Sequence, residues 1–327
     1  MKVSQATLDW LLDSDPSLRW QVERDILGMP DSQWQDTRAL TASQGNGAAL
    51  LALQDTDGQW AGGAFFPKRH IDNVVRREGD ETGQPFLATT WSLNALREWG
   101  VDPETLGDTA KRLEANCRWE YDNLPYWDGE VDVCINSYTL ANGAWLGHDV
   151  SGIATWFTKH QLEDGGWNCE WVEGSTRSSF HSTLNALIGI LEYEKLTGTN
   201  AELSAARKRG EEYLLERSLM YRLETGEPVG QWVNQFGYPN RWRYSTLRAL
   251  DYFRAAAEVE NSTPDARLSE AVTQLLSAAN ERGRWLNQRR EKGEVWFNTD
   301  AEVGEESRWI TFYALRVLNW WEAAASA

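Results

Sequence analysis

The feature that most restricts what this chain can fold into is a short motif that recurs along it. Gln54-Asp-Thr-Asp-Gly58-Gln-Trp60 and Gln161-Leu-Glu-Asp-Gly165-Gly-Trp167 share the pattern Gln-x3-Gly-x-Trp, and Gly283-Arg-Trp285 keeps its second half. Gly230-Gln-Trp232 and the stretch around Trp127 are more degenerate relatives. After each copy comes a polar loop and then an apolar segment with a small residue at its middle: TTWSLNALREW, INSYTLANGAWLG, FHSTLNALIGILEYE, RYSTLRALDYF and ITFYALRVLNWW. Aligned on Ala95, Ala141, Ala186, Ala249 and Ala314, the units are spaced 46, 45, 63 and 65 residues apart. A regular period of this kind marks supersecondary units that bury their apolar faces only by stacking on one another.

More polar segments alternate with these five. Residues 103–116 begin with Asp102-Pro103 and residues 200–217 with Asn200, both good helix starts. Segments 149–161 and 265–281 carry apolar residues at helical spacing, and Asp15-Pro16 caps a helix with Leu18, Val22 and Ile26 along one stripe. Strand signals are nearly absent. The expectation is an all-α fold of roughly ten to twelve helices, with a helical extension over residues 1–39 packed on a repeat domain over 40–327. Within the motif, glycine lets the chain leave a helix in a left-handed turn. Glutamine can bond exposed helix termini, and the indole wedges between hairpins with its N–H on a backbone carbonyl.

Composition narrows the function. The net charge is −17, from 32 basic and 49 acidic residues, which excludes nucleic acid as a partner because phosphate backbones require a basic field. Three cysteines, Cys117, Cys134 and Cys169, provide no disulfide framework and point to a reducing compartment. With no signal-peptide pattern and no apolar run long enough to span a bilayer, the chain reads as cytoplasmic with no integral membrane segment. Nothing in the sequence sets its oligomeric state.

The two complete Gln-x3-Gly-x-Trp motifs, each followed by a loop and a helix, resemble the QW repeat of the squalene cyclase and protein prenyltransferase superfamily, and the length resembles its short single-domain members. The resemblance covers roughly residues 40–325. It implies an α/α toroid of five to six helical hairpins around a central aromatic cavity, and an enzyme acting on a small apolar or isoprenoid substrate. The Asp-x-Asp-Asp motif with which cyclases of this superfamily protonate an alkene is absent. Its nearest counterpart, Asp128-Gly-Glu130-Val-Asp132, has the wrong spacing, and no Asp-Asp-x-x-Asp stretch exists for a diphosphate.

The prenyltransferase branch offers a closer match. Its β subunits hold zinc through Asp-x-Cys before one inner helix and a histidine at the start of the next. Here Asp132-Val-Cys134 precedes INSYTLANGAW, and His181 opens the following inner helix. The resemblance thus implies Asp132, Cys134 and His181 as zinc ligands, with Cys169 near the fourth position. Carboxylate, thiolate and imidazole with one open site is a catalytic zinc pattern.

An alternative needs no metal. Asp128, Asp132, Cys134, Tyr138, Cys169 and His181 can supply acid–base groups to a dehydratase or isomerase of terpene alcohols, with aromatic faces stabilising a cation. Trp127, Trp167 and Arg177 are the candidate substrate-binding residues. A carbohydrate-active toroid and a non-catalytic scaffold are the remaining alternatives, the scaffold implying no deep cavity.

Overall fold

Alternating apolar and polar segments become alternating buried and peripheral helices. The computed structural model describes residues 3–73 and 83–325. Its α-helices are α1 (Gln5–Leu12), α2 (Pro16–Asp25), α3 (Asp31–Ala39), α4 (Gly45–Leu51), α5 (Lys68–Asn73), α6 (Thr89–Glu98), α7 (Thr109–Asn116), α8 (Val133–Trp145), α9 (Ser151–Lys159), α10 (Phe180–Thr197), α11 (Ala201–Leu215), α12 (Thr246–Glu260), α13 (Ser269–Ser277) and α14 (Arg308–Ala325). Among the described residues there is no strand, only isolated bridges. The fold is all-α. No described helix is long and apolar enough to cross a membrane.

The helix starts follow local chemistry. Asp15 accepts from the Ser17 amide ahead of Pro16, and Asn200 accepts from the Glu202 and Leu203 amides. The segment expected to be one helix over 103–116 is instead a 3-10 turn, Pro103–Leu106, and then α7. Gly107 separates them at φ +53°. The helix count exceeds expectation because short N-terminal helices, α1, α3 and α4, flank α2.

Five helices carry the repeat. α6 packs on α8, α8 on α10, α10 on α12 and α12 on α14. α14 then meets α2, α2 meets α4, and α4 meets α6. The peripheral helices fill the outside: α9 lies against α8 and α11, α11 against α10, and α13 against α12 and α14. The anchoring alanines Ala141, Ala186, Ala249 and Ala314 are all but fully buried.

The motif performs the same task three times. Trp60 Nε1 donates to the Leu50 carbonyl, Trp167 Nε1 to Phe157 and Trp285 Nε1 to Leu275, at 2.9, 3.0 and 2.8 Å. In each case the acceptor lies ten residues earlier. The same tryptophans donate their backbone N–H to Thr89, Thr183 and Thr311 Oγ1, in the first turn of the inner helix that follows. Gln54 bonds the Gly58 carbonyl and Thr109 Oγ1, and Gln161 the Gly165 and Ala206 carbonyls. Each glutamine therefore ties its own turn to a later helix, α7 for Gln54 and α11 for Gln161. Gly58 and Gly165 both turn at φ +92°. A Cβ at Gly165 would stand 2.8 Å from the Arg209 carbonyl oxygen.

Candidate functional site

The start of α8 and the loop before α10 bring two thiols and a carboxylate together. Asp132 precedes α8 at its N-cap but does not cap it, although aspartate at that position ordinarily bonds a first-turn amide. Its ligand atom lies within 4.8 Å of the Cys134 and Cys169 sulfurs. The sulfurs themselves are 3.4 Å apart. Asp132 Oδ1 is buried and has no hydrogen-bond partner, an expensive arrangement for a carboxylate oxygen.

The surroundings hold this group in place. Ser182 Oγ lies 3.2 Å from Cys169 Sγ and accepts from the Cys169 amide. Asn185 Nδ2 approaches Cys134 Sγ at 3.4 Å. The loop ahead of Asp132 is clamped by Asn136, which bonds both the amide and the carbonyl of Glu130, and by Trp171 Nε1 on the Val131 carbonyl. The Cys169 thiol, burial and the Asp132 charge push the Cys134 thiol well above its ordinary pKa. Burial likewise raises Glu130. Two thiols and an unpaired carboxylate oxygen are a donor set that fits a thiophilic divalent cation.

His181 stands outside this group. Its Nδ1 accepts from the Tyr244 amide at 2.7 Å, and its ring stacks on Trp232 at 4.6 Å. Burial, with Arg243, Arg248 and Arg289 nearby, holds it neutral with a pKa of about 4. The reason is angular. Adjacent helical residues point about 100° apart, so Ser182 faces the thiols while His181 faces the next repeat. Cys169 takes the place that the resemblance gave to His181.

Other expected site residues are also placed elsewhere. Asp128 is exposed. Trp127 and Trp167 are buried, with their indole N–H groups on the Ala110 and Phe157 carbonyls, so their faces belong to the core. Arg177 is 84% exposed and 3.8 Å from Glu224. Tyr138 does reach a cavity: it lines the central space, packs on Trp91 and donates to Asn185 Oδ1 at 3.4 Å.

That cavity, about 370 Å³, is bounded by α2, α6, α8, α10, α12 and α14. Its wall sets six cationic and three acidic side chains among apolar ones such as Ile188, Leu191, Phe236 and Ile310. On α6 Glu98 accepts from Tyr313, and from Tyr238 at 3.2 Å. Burial raises its pKa even so. On α12 burial would raise Asp251, but Arg316 and Arg254 outweigh it and hold the carboxyl down to about 2. An adjoining aromatic pocket of about 50 Å³ includes Phe86, Trp91, Trp99 and Trp296.

Asn185 joins the thiol group to the cavity, since it touches Cys134 and lines the central space. Sequence reasoning missed Asn185, Glu98 and Asp251, yet for Asn185 and Asp251 the repeat carried a signal. The residue before the anchoring alanine lines the cavity in α6, α10, α12 and α14, as Asn94, Asn185, Arg248 and Tyr313. So does the residue two after it, as Arg97, Ile188, Asp251 and Arg316. No protein-family model matches the chain, and no curated protein matches it.

Proposed function

We propose that the helices form a closed α/α toroid and that the protein is an enzyme whose chemistry centres on zinc held by Asp132, Cys134 and Cys169. The circuit of contacts through α6, α8, α10, α12, α14, α2 and α4 supports the ring. In this reading α2 is a stave of the ring, and residues 1–39 contribute to the cavity wall through Gln21 and Arg24. A deep cavity argues against the scaffold alternative.

The observation that carries the metal is Asp132 Oδ1, buried beside two thiols without a partner. When bound there, zinc supplies Lewis-acid and thiolate chemistry. The protein's own residues fix the donors: Asn185 positions Cys134, Ser182 positions Cys169, and the clamped 130–132 loop aims the carboxylate. Such supporting contacts tune a metal centre. The charged wall favours a small polar substrate over a purely isoprenoid one, with any apolar portion directed to the adjoining aromatic pocket.

Metal analysis of tag-free protein purified with zinc tests this. One zinc per chain, lost in Cys134→Ser and in Asp132→Asn, supports the reading; a metal-free wild type overturns it.

A second reading has its own observation. Glu98 is raised while Asp251 is lowered, and both line one cavity. Carboxyls pushed apart in this way suit metal-free acid–base chemistry, and activity surviving in Cys134→Ser but not Glu98→Gln selects it.

A further inference from the structure

The segments before α12 and before α14, with the first turn of α12, bring Arg241, Arg243, Arg248 and Arg289 around one recess whose lining includes a single carboxylate, Glu291. Glu291 does not neutralise them. Arg243 Nε lies 2.8 Å and Arg289 Nε 3.2 Å from its Oε1. Neither contact is aligned as a hydrogen bond, and Arg289 Nη1 is buried without a hydrogen-bond partner. Among the described residues Arg248 has no carboxylate within ion-pair distance; its Nη2 rests on Asn185 Oδ1 at 3.2 Å. Arg241 lies over Phe86 and Trp91, 4.3 and 5.4 Å from the ring centroids.

Four guanidinium groups meet Glu291 at the recess, with Glu98 also acting on Arg241 and Arg248, and in a chain of net charge −17 they concentrate positive charge against the overall balance. Their mutual repulsion is unfavourable unless an anion offsets it. Arginine forks match the planar or tetrahedral oxygens of carboxylate and phosphate. The recess alone, about 10 Å³, has room for little more than a water. It shares Gly237, Asn240, Ser245 and Arg248 with the central cavity, so a ligand group would sit at that junction.

We infer that this arginine recess binds a dianionic oxyanion, a phosphate group or a close pair of carboxylates, on a small molecule whose remainder occupies the central cavity. The site uses no residue of the thiol group, and the two can fail separately.

Calorimetric titration of the full chain with inorganic phosphate, and separately with malonate, tests the inference at fixed ionic strength. Saturable binding of at least one probe is expected, weakened tenfold or more in Arg243→Gln and Arg289→Gln. Binding is expected to be unchanged in Arg282→Gln, whose side chain is 72% exposed, and after treatment of the wild type with chelator. Tighter phosphate assigns a phosphate ligand, and tighter malonate a dicarboxylate. Absence of saturable binding at millimolar probe, or equal affinity in every arginine variant, overturns the site. Should Arg289→Gln fail to fold, Arg243→Gln decides alone, because its side chain is 38% exposed and its loss leaves the core intact.

Discussion

The sulfurs of Cys134 and Cys169 lie 3.4 Å apart, although 35 positions separate them in the chain. Cys134 sits in the first turn of α8 and Cys169 in the 3-10 turn Cys169–Glu173. Their approach follows from how α8 and α10 pack. The pair should therefore crosslink when the metal-free protein is treated with a thiol oxidant such as diamide, the two thiols losing two hydrogens to the oxidant. Intact-mass analysis should show that loss, with zinc slowing it. Crosslinking that zinc does not slow would separate the thiols from any metal.

Replacing His181 should leave metal content unchanged, because its Nδ1 is occupied by the Tyr244 amide and Ser182 faces the thiols instead. His181→Ala and Cys169→Ser should give opposite results in a metal assay. Loss of metal in His181→Ala with retention in Cys169→Ser would restore the ligand set of the prenyltransferase resemblance.

The motif tryptophans should dominate stability. Trp60→Ala and Trp167→Ala each remove a fully buried indole and its carbonyl bond, and should cost about 3–5 kcal/mol in denaturant unfolding. Trp167→Phe keeps much of the apolar area and should cost less. Unaltered melting in the alanine variants would contradict the role assigned to the motif.

Acid should weaken the fold in a definite window. His181 has its pKa lowered from 6.5 to about 4 in the folded chain, so the unfolded chain binds its proton first. Its contribution is complete above about pH 6.5 and is lost as pH falls toward 4. His181→Phe, which keeps an aromatic face against Trp232, should flatten stability against pH across that window. An unchanged profile would show that the ring titrates normally.

Glu98 has the opposite sign. Its folded pKa is raised by burial, so the folded chain holds the proton longer and stability falls as pH rises above the ordinary carboxyl range. Glu98→Gln retains an acceptor for Tyr238 and Tyr313 and removes the buried charge. Its melting temperature should be equal or higher at neutral pH, and a clear drop would mean that the ionised carboxylate holds the two tyrosines.

What the sequence determined by itself was local and periodic. Asp15-Pro16 and Asn200 cap through contacts two or three residues away, and each motif indole bonds a carbonyl ten residues earlier, so these elements were legible from spacing. The alanine register likewise marked positions that pack out of solvent, Ala141, Ala186, Ala249 and Ala314. Azimuth and long-range approach were decided only by tertiary packing. Ser182 rather than His181 meets the thiols because one step along a helix rotates a side chain by about 100°, and no repeat pattern specifies where that rotation begins. Glu98, Asn185 and the four arginines around Glu291 acquire their chemistry from residues on other helices and loops. The raised pKa of Glu98 comes from desolvation that exists only once the chain has packed.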